Sequence, residues 1–163
     1  MARRSSEARS TEQPAARAVL DLQQYFPYRL ARLAEQVSLA VAEVYAKRFS
    51  LSRQEWRILA VLGARSDTRT KEIGRLTTLD KMNVSRAMRS LEARGIVTRS
   101  KDADDGRERI VALTAAGRAL YRKIVPFALA REAELFGVLT PEEIDAFDTV
   151  MRKLSAAASA HSF

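Results

Sequence analysis

The chain has 163 residues, a formal net charge of +8, no cysteine and one histidine, with 47% apolar and 29% charged residues. That length suits one globular domain with a proper core, and heavy use of Ala, Arg and Leu with few Gly or Pro favours helix. The absence of cysteine excludes disulfides, thiolate metal ligands and thiol redox sensing, and His161 stands alone in a small polar tail, so no catalytic residues, metal or cofactor are expected.

Residues 1 to about 20 combine Arg, Ser, Ala and Glu without apolar periodicity, and read as a flexible arm rather than a secretory signal. No apolar run reaches bilayer length, which makes a cytoplasmic location the expectation. From Tyr25 to about Lys47, Leu30, Leu33, Val37, Val41 and Val44 recur at helical spacing, with Pro27 suited to the first turn. The opening of this helix gathers Tyr25, Phe26, Tyr28, Arg29 and Arg32. Such a cluster suits either an aromatic anion or packing against a neighbouring helix.

Ser52-Arg-Gln-Glu55 is a capping box, so a second helix starts there and carries Trp56, Leu59 and Leu62 to Gly63, with Trp56 expected in the core. A short third helix spans about Thr70 to Leu76, with Ile73 and Leu76 inward. After the turn Thr77-Thr78-Leu79, Asp80 can cap a fourth helix that ends at Gly95. At about 100° per residue, Val84, Ala87, Met88 and Leu91 share one side of it, while Met82, Arg86 and Arg89 point away, flanked by Asn83 and Ser85. Two short helices joined by a few residues, the second with a basic outer face, form a helix-turn-helix. Arg, Asn and Ser are the residue types that read base edges in a major groove, although basic faces on surface helices are commonly just solvated.

Beyond Gly95 the period becomes alternating. Residues 96–100 and 107–113 read as two strands about the turn Lys101 to Gly106, a β-hairpin wing able to lay Arg107 or Arg109 along a DNA backbone or into a minor groove. Asp102, Asp104 and Asp105 suggest calcium, but a twelve-residue count from Asp102 ends on Leu113 where a bidentate Glu is required. Thr114 can cap a fifth helix, which Pro126 should bend or split. Thr140-Pro-Glu-Glu143 starts a sixth, with Ile144, Phe147, Met151 and Leu154 forming a narrow seam suited to another subunit or to an internal core.

Charge is distributed unevenly along this order. Residues 69–101 hold nine bases against three acids, and residues 131–148 hold one base against six acids. A basic pole over the helix-turn-helix implies a polyanionic partner, nucleic acid before membrane. Two other readings stay open at this point: a sequence-indifferent architectural nucleic-acid binder, and a helical protein-interaction adaptor. An enzyme has the least support, for no acid–base or phosphate-cradling constellation is present.

The segments LSRQEWRILAVL, KEIGRLTTLDKMNVSRAMRSLEARGIVTR and DADDGRERIVALTAAGRAL together resemble the multiple antibiotic resistance regulator (MarR) family of winged helix-turn-helix transcription factors. The resemblance spans about residues 28 to 154 and implies a mainly α fold with a small two-stranded wing, ordered as a flexible arm (1–20) and one domain (21–163). In it a DNA-binding lobe at about 50–113 lies between dimerisation helices at about 25–48 and 114–159. It further implies a homodimer, joined through Leu33, Phe147, Met151 and Leu154, that reads a palindromic double-stranded operator. Base contact would fall on Asn83, Ser85 and Arg86, backbone contact on Lys81 and Arg89, minor-groove insertion on Arg107, and a further wing contact on Arg109. Family effectors are commonly aromatic carboxylates, or their CoA thioesters, which makes Tyr28, Arg29, Arg32 and Trp56 the ligand candidates and a ligand-relieved repressor the expected function. Gly106 and Gly74 depart from the family pattern, the first at the wing tip and the second inside the third helix.

Overall fold

The computed structural model describes residues 19–101 and 109–160. The elements are α1 (Phe26–Phe49), α2 (Arg53–Ala64), β1 (Thr68–Arg69), α3 (Thr70–Thr77), α4 (Lys81–Ala93), β2 (Val97–Lys101), β3 (Arg109–Leu113), α5 (Ala115–Phe136) and α6 (Pro141–Ala160). Two compact units are present, one ending at Ala34 and one starting at Glu35. The expected arm lies outside the described residues as far as residue 18, as do wing residues 102–108 and His161.

Short-range chemistry sets most helix starts. Ser52 Oγ accepts from the Glu55 N–H at 3.2 Å while Glu55 Oε2 accepts from the Ser52 N–H at 2.7 Å, which closes the capping box of α2. The same reciprocal pair opens α6: the Thr140 N–H donates to Glu143 at 2.8 Å and the Glu143 N–H to Thr140 at 3.3 Å. Thr114 caps α5 by accepting from the Gly117 N–H at 3.0 Å. In each case a side-chain oxygen satisfies an N–H that the helix cannot reach.

The core of the second unit is built by α2, α3, α4 and the sheet, with Tyr45 from α1 and Ile124 from α5. Ile58, Leu59, Leu62, Ile73, Val84, Ala87, Met88, Leu91, Val97, Val111, Leu113 and Ile124 are all buried, and Tyr45 and Leu51 close the side toward α1. All four inward residues expected of α4 are among them. Trp56 is only half-buried and stacks on Tyr45 with ring centroids 5.4 Å apart. On α3 the inward pair is Ile73 and Thr77, whereas Leu76 is half-buried. Thr77 tolerates burial because its hydroxyl donates to the Ile73 carbonyl at 2.7 Å.

Two features differ from expectation. The sheet has three strands in the order β1-β3-β2, because Thr68 and Arg69 pair with Val111 and Ile110 on the free edge of the hairpin. The hairpin itself pairs Val97 with Leu113 through to Lys101 with Arg109. Secondly, α5 runs unbroken through Pro126. Proline removes the bond back to the Arg122 carbonyl, but burial of Ile124 and the contact of Phe127 with Phe49 (centroids 6.3 Å apart) hold both halves of the helix to the same core.

Candidate nucleic-acid interface

The fourth helix is fixed at both ends. Asp80 accepts from the Asn83 N–H at 2.8 Å and from the Asn83 side-chain amide at 2.6 Å. These bonds, the backbone one first, hold the Asp80 carboxyl below the usual carboxylate range. One N–H of the Asn83 side-chain amide is therefore engaged within the helix's own first turn. A carboxylate at this position also offsets the positive end of the helix.

At the other end, the Ile96 N–H donates to the Leu91 carbonyl at 2.9 Å and the Gly95 N–H to the Glu92 carbonyl at 2.9 Å, with Gly95 at φ +65°. This is a Schellman closure, completed by contact between two buried residues, Leu91 and Ile96. It turns the chain directly into β2. Thr114 then ties the far end of the hairpin to this corner, its hydroxyl donating to the Gly95 carbonyl at 2.6 Å and its N–H to the Ile96 carbonyl at 3.0 Å. Helix and wing share one anchor.

A buried carboxylate holds the C-terminal end of α4. Glu55, 7% exposed, accepts from the Ser90 hydroxyl at 2.5 Å and lies 3.8 Å from Arg94, whose guanidinium also donates to the Ser50 and Phe49 carbonyls at 2.9 and 3.1 Å. Burial alone would raise the Glu55 carboxyl. The bonds from Ser90 and Ser52, with the Arg94 charge, outweigh it and keep the carboxyl below its ordinary range. The ends of α1, α2 and α4 meet at this one group. Nothing in the spacing of Glu55 and Ser90, 35 positions apart, advertises it.

What α4 presents outward is Lys81, Ser85, Arg86 and Arg89, all exposed, with Asn83 half-exposed beside them. Arg89 Nε reaches the Ser85 carbonyl at 3.4 Å. Between α3 and α4 a groove of about 550 Å³ is bordered by Lys71, Arg75, Lys81, Ser85 and Arg99. Arg99 is pinned there by Glu92 at 2.6 Å. Lys71, Arg75 and Arg99 were legible in the sequence only as members of the basic segment, not as one rim. On the wing, Lys101 stands opposite Arg109 across the β2–β3 ladder. Like charges facing one another repel, which a polyanion would relieve. Arg107 lies outside the described residues.

The remaining candidates are dispersed. In the first unit Tyr28 is half-buried, Arg29 is exposed with its guanidinium 5.0 Å from the Phe26 ring, and Arg32 donates to Gln23 at 3.0 Å. Leu33 is exposed in that unit, and Trp56 belongs to the second. The Phe147 ring lies tilted against Phe136 with centroids 6.5 Å apart, while Met151 and Leu154 on α6 remain 45% and 49% exposed. Among the described residues no cluster of acids or histidine could hold a metal, and no helix is long and apolar enough to cross a membrane.

Comparison with known proteins agrees with this geometry. The MarR family model matches residues 49–108, the segment from the end of α1 into the wing. The HTH-type transcriptional regulator YwoH of Bacillus subtilis (strain 168), itself uncharacterized, is 30% identical over 104 residues, which cover 64% of this chain and 75% of that protein. The transcriptional regulator HosA of Escherichia coli O157:H7 is 34% identical over a shorter stretch of 74 residues, 45% of this chain and 55% of HosA. Among solved structures, BpsR of Bordetella bronchiseptica, whose DNA binding is regulated by 6-hydroxynicotinic acid, superposes with a TM-score of 0.75 at 25% identity, covering 85% of this chain and 98% of BpsR. A helix-turn-helix and wing bound to one core, a basic outer face on α4, and these likenesses lead to one conclusion: the chain belongs to the MarR family of transcriptional regulators.

Proposed function

We propose that the chain is a homodimeric repressor that reads a palindromic operator through α4 and releases it on binding a small anionic ligand, an aromatic carboxylate or its CoA thioester. The observation that carries the DNA part is the rigidly anchored α4, whose exposed Lys81, Ser85, Arg86 and Arg89 stand on the side opposite its buried Val84, Ala87, Met88 and Leu91. Arg86 is the proposed base reader with Asn83 and Ser85; Lys81 and Arg89 contact the DNA backbone, Arg107 enters the minor groove from the wing, and Arg109 makes a further wing contact.

The dimer reading draws on α6, none of whose residues is buried, and on its apolar seam Ile144, Met151 and Leu154, together with Leu33 on α1. An apolar stripe of that length left in water is a cost that a second subunit removes. In this organisation residues 1–20 form an arm, 21–163 one domain, and the lobe at about 50–113 lies between dimerisation helices at about 25–48 and 114–159. Tyr28, Arg29 and Arg32 are the proposed ligand contacts, an arrangement of ring and cation suited to an aromatic anion, and Trp56 is a fourth candidate. The ligand acts by preferring a dimer whose two α4 helices are wrongly spaced for successive major grooves.

The test measures binding to a selected operator and to random DNA at one fixed salt concentration. Arg86→Ala should cost about 1–3 kcal/mol on operator and little on random DNA, whereas Lys81→Ala and Arg89→Ala should weaken both and flatten the salt dependence. Equal losses on both DNAs for Arg86→Ala would overturn base readout. A thermal-shift series with 6-hydroxynicotinic acid, benzoates and their CoA thioesters tests the ligand, because anything bound only by the folded state raises its melting temperature.

A further inference from the structure

The outward face of α4 is polar and basic with one exception. Met82, in the first turn of the helix, is 69% exposed, and it is the large apolar side chain that α4 leaves in solvent while burying Val84, Met88 and Leu91. A single exposed apolar residue on a surface is ordinary. Met82 is set apart by its register: Ser85, Arg86 and Arg89 follow it at three, four and seven residues, which puts all four on one stripe of the helix. The N-terminal turn of a recognition helix is the part that sits deepest against base edges.

We infer that Met82 is a specificity-determining residue that recognises the 5-methyl group of a thymine in the major groove. The inference rests on the DNA-reading assignment of α4 made above. In the major groove thymine alone of the four bases carries an apolar substituent, so an apolar side chain there distinguishes it where a hydrogen-bonding residue would not. An unbranched, polarizable thioether can settle against a methyl group without a single required geometry. The neighbouring side chains cannot take this role. Lys81 is cationic, Ser85 is short and polar, and Asn83 is held on Asp80 at 2.6 Å. Met82 makes the first turn a reader of A·T pairs, while Arg86, one turn on, suits guanine.

The experiment uses the full chain and an operator enriched from random duplexes, in which each thymine is replaced in turn by deoxyuridine, a change that removes only the methyl group. Wild type should bind roughly three- to fivefold more weakly at one thymine of the half-site, the effect of withdrawing one buried methyl-sized group. Met82→Ala should lose a similar factor on the thymine operator and nothing further on deoxyuridine, and Met82→Leu should keep the discrimination. Because Met82 is exposed, the melting temperature of both variants should match wild type, which separates readout from folding. If wild type ignores every deoxyuridine, or Met82→Ala keeps the wild-type penalty, Met82 does not read thymine even though α4 binds DNA. If no sequence is enriched at all, the operator reading fails, and this inference with it.

Discussion

Replacing Glu55 with alanine should destabilise the folded chain by about 2–3 kcal/mol, and the sum can be followed bond by bond. Loss of the carboxylate strips the Ser52 N–H of its acceptor, worth about 1 kcal/mol for a capping interaction. It also removes the charged acceptor that the exposed Ser90 hydroxyl holds at 2.5 Å, a further loss of about 1–2 kcal/mol, kept at the low end for a bond to a carboxylate because water reaches Ser90. Arg94 adds a few tenths, since it is 3.8 Å away, partly exposed, and keeps its bonds to the Ser50 and Phe49 carbonyls. Relief of the cost of burying a charge offsets part of this. Urea unfolding at pH 7 and one fixed protein concentration reads the change as a lower midpoint with an unaltered slope. Glu55→Gln supplies the electrostatic control. The folded-state carboxyl lies below its unfolded value, so its contribution is present above the unfolded pKa of about 4.3 and is lost as pH falls through the folded one. The stability gap between wild type and Glu55→Gln should close over that acidic range. A loss below about 0.5 kcal/mol for alanine, or a gap to glutamine indifferent to pH, would refute the assignment of Glu55 as the tie between α2 and α4.

Gly74 sits inside α3 with room for a side chain, because an added Cβ would meet only the Leu79 carbonyl at 3.5 Å and Val84 at 3.8 Å. Gly74→Ala should therefore stabilise the chain by about 0.5–1 kcal/mol, seen as a higher melting temperature. Gly117 is the opposite case: its Cβ would fall 2.1 Å from the Ile96 carbonyl, so Gly117→Ala should cost about 1–3 kcal/mol or more and loosen the corner shared by α4 and the wing. A neutral result in urea unfolding would show that the corner yields freely. Met151→Glu with Leu154→Glu should convert the proposed dimer to monomer in sedimentation equilibrium without loss of helix content in circular dichroism; an unchanged mass would place the interface elsewhere.

What could be read from the sequence was whatever depends on neighbours a few residues apart. Ser52, Asp80, Thr114 and Thr140 each start a helix where expected, because a cap and the N–H it serves are three positions apart. The inward face of α4 followed from its 3.6-residue period, and Gly95 ends that helix because its left-handed φ costs no Cβ clash. The candidate DNA-facing side chains of α4 were identified in the same way, as the complement of the buried ones.

Contacts across long separations were decided only in the folded chain. The strand Thr68–Arg69 is two residues long and has no pattern of its own; it exists because Val111 and Ile110 present an open ladder edge. Pro126 weakens α5 locally, yet the core on both sides of it keeps the helix in one piece. The Glu55–Ser90–Arg94 junction joins groups 35 and 39 positions apart that no periodicity connects. Local hydrogen bonding and helical period are written in adjacent residues, so the sequence alone determined the elements and their inner and outer faces. Which polar groups are spent inside the protein, and which remain available to a partner, depends on burial and on partners brought together by packing, and that was decided by the tertiary structure.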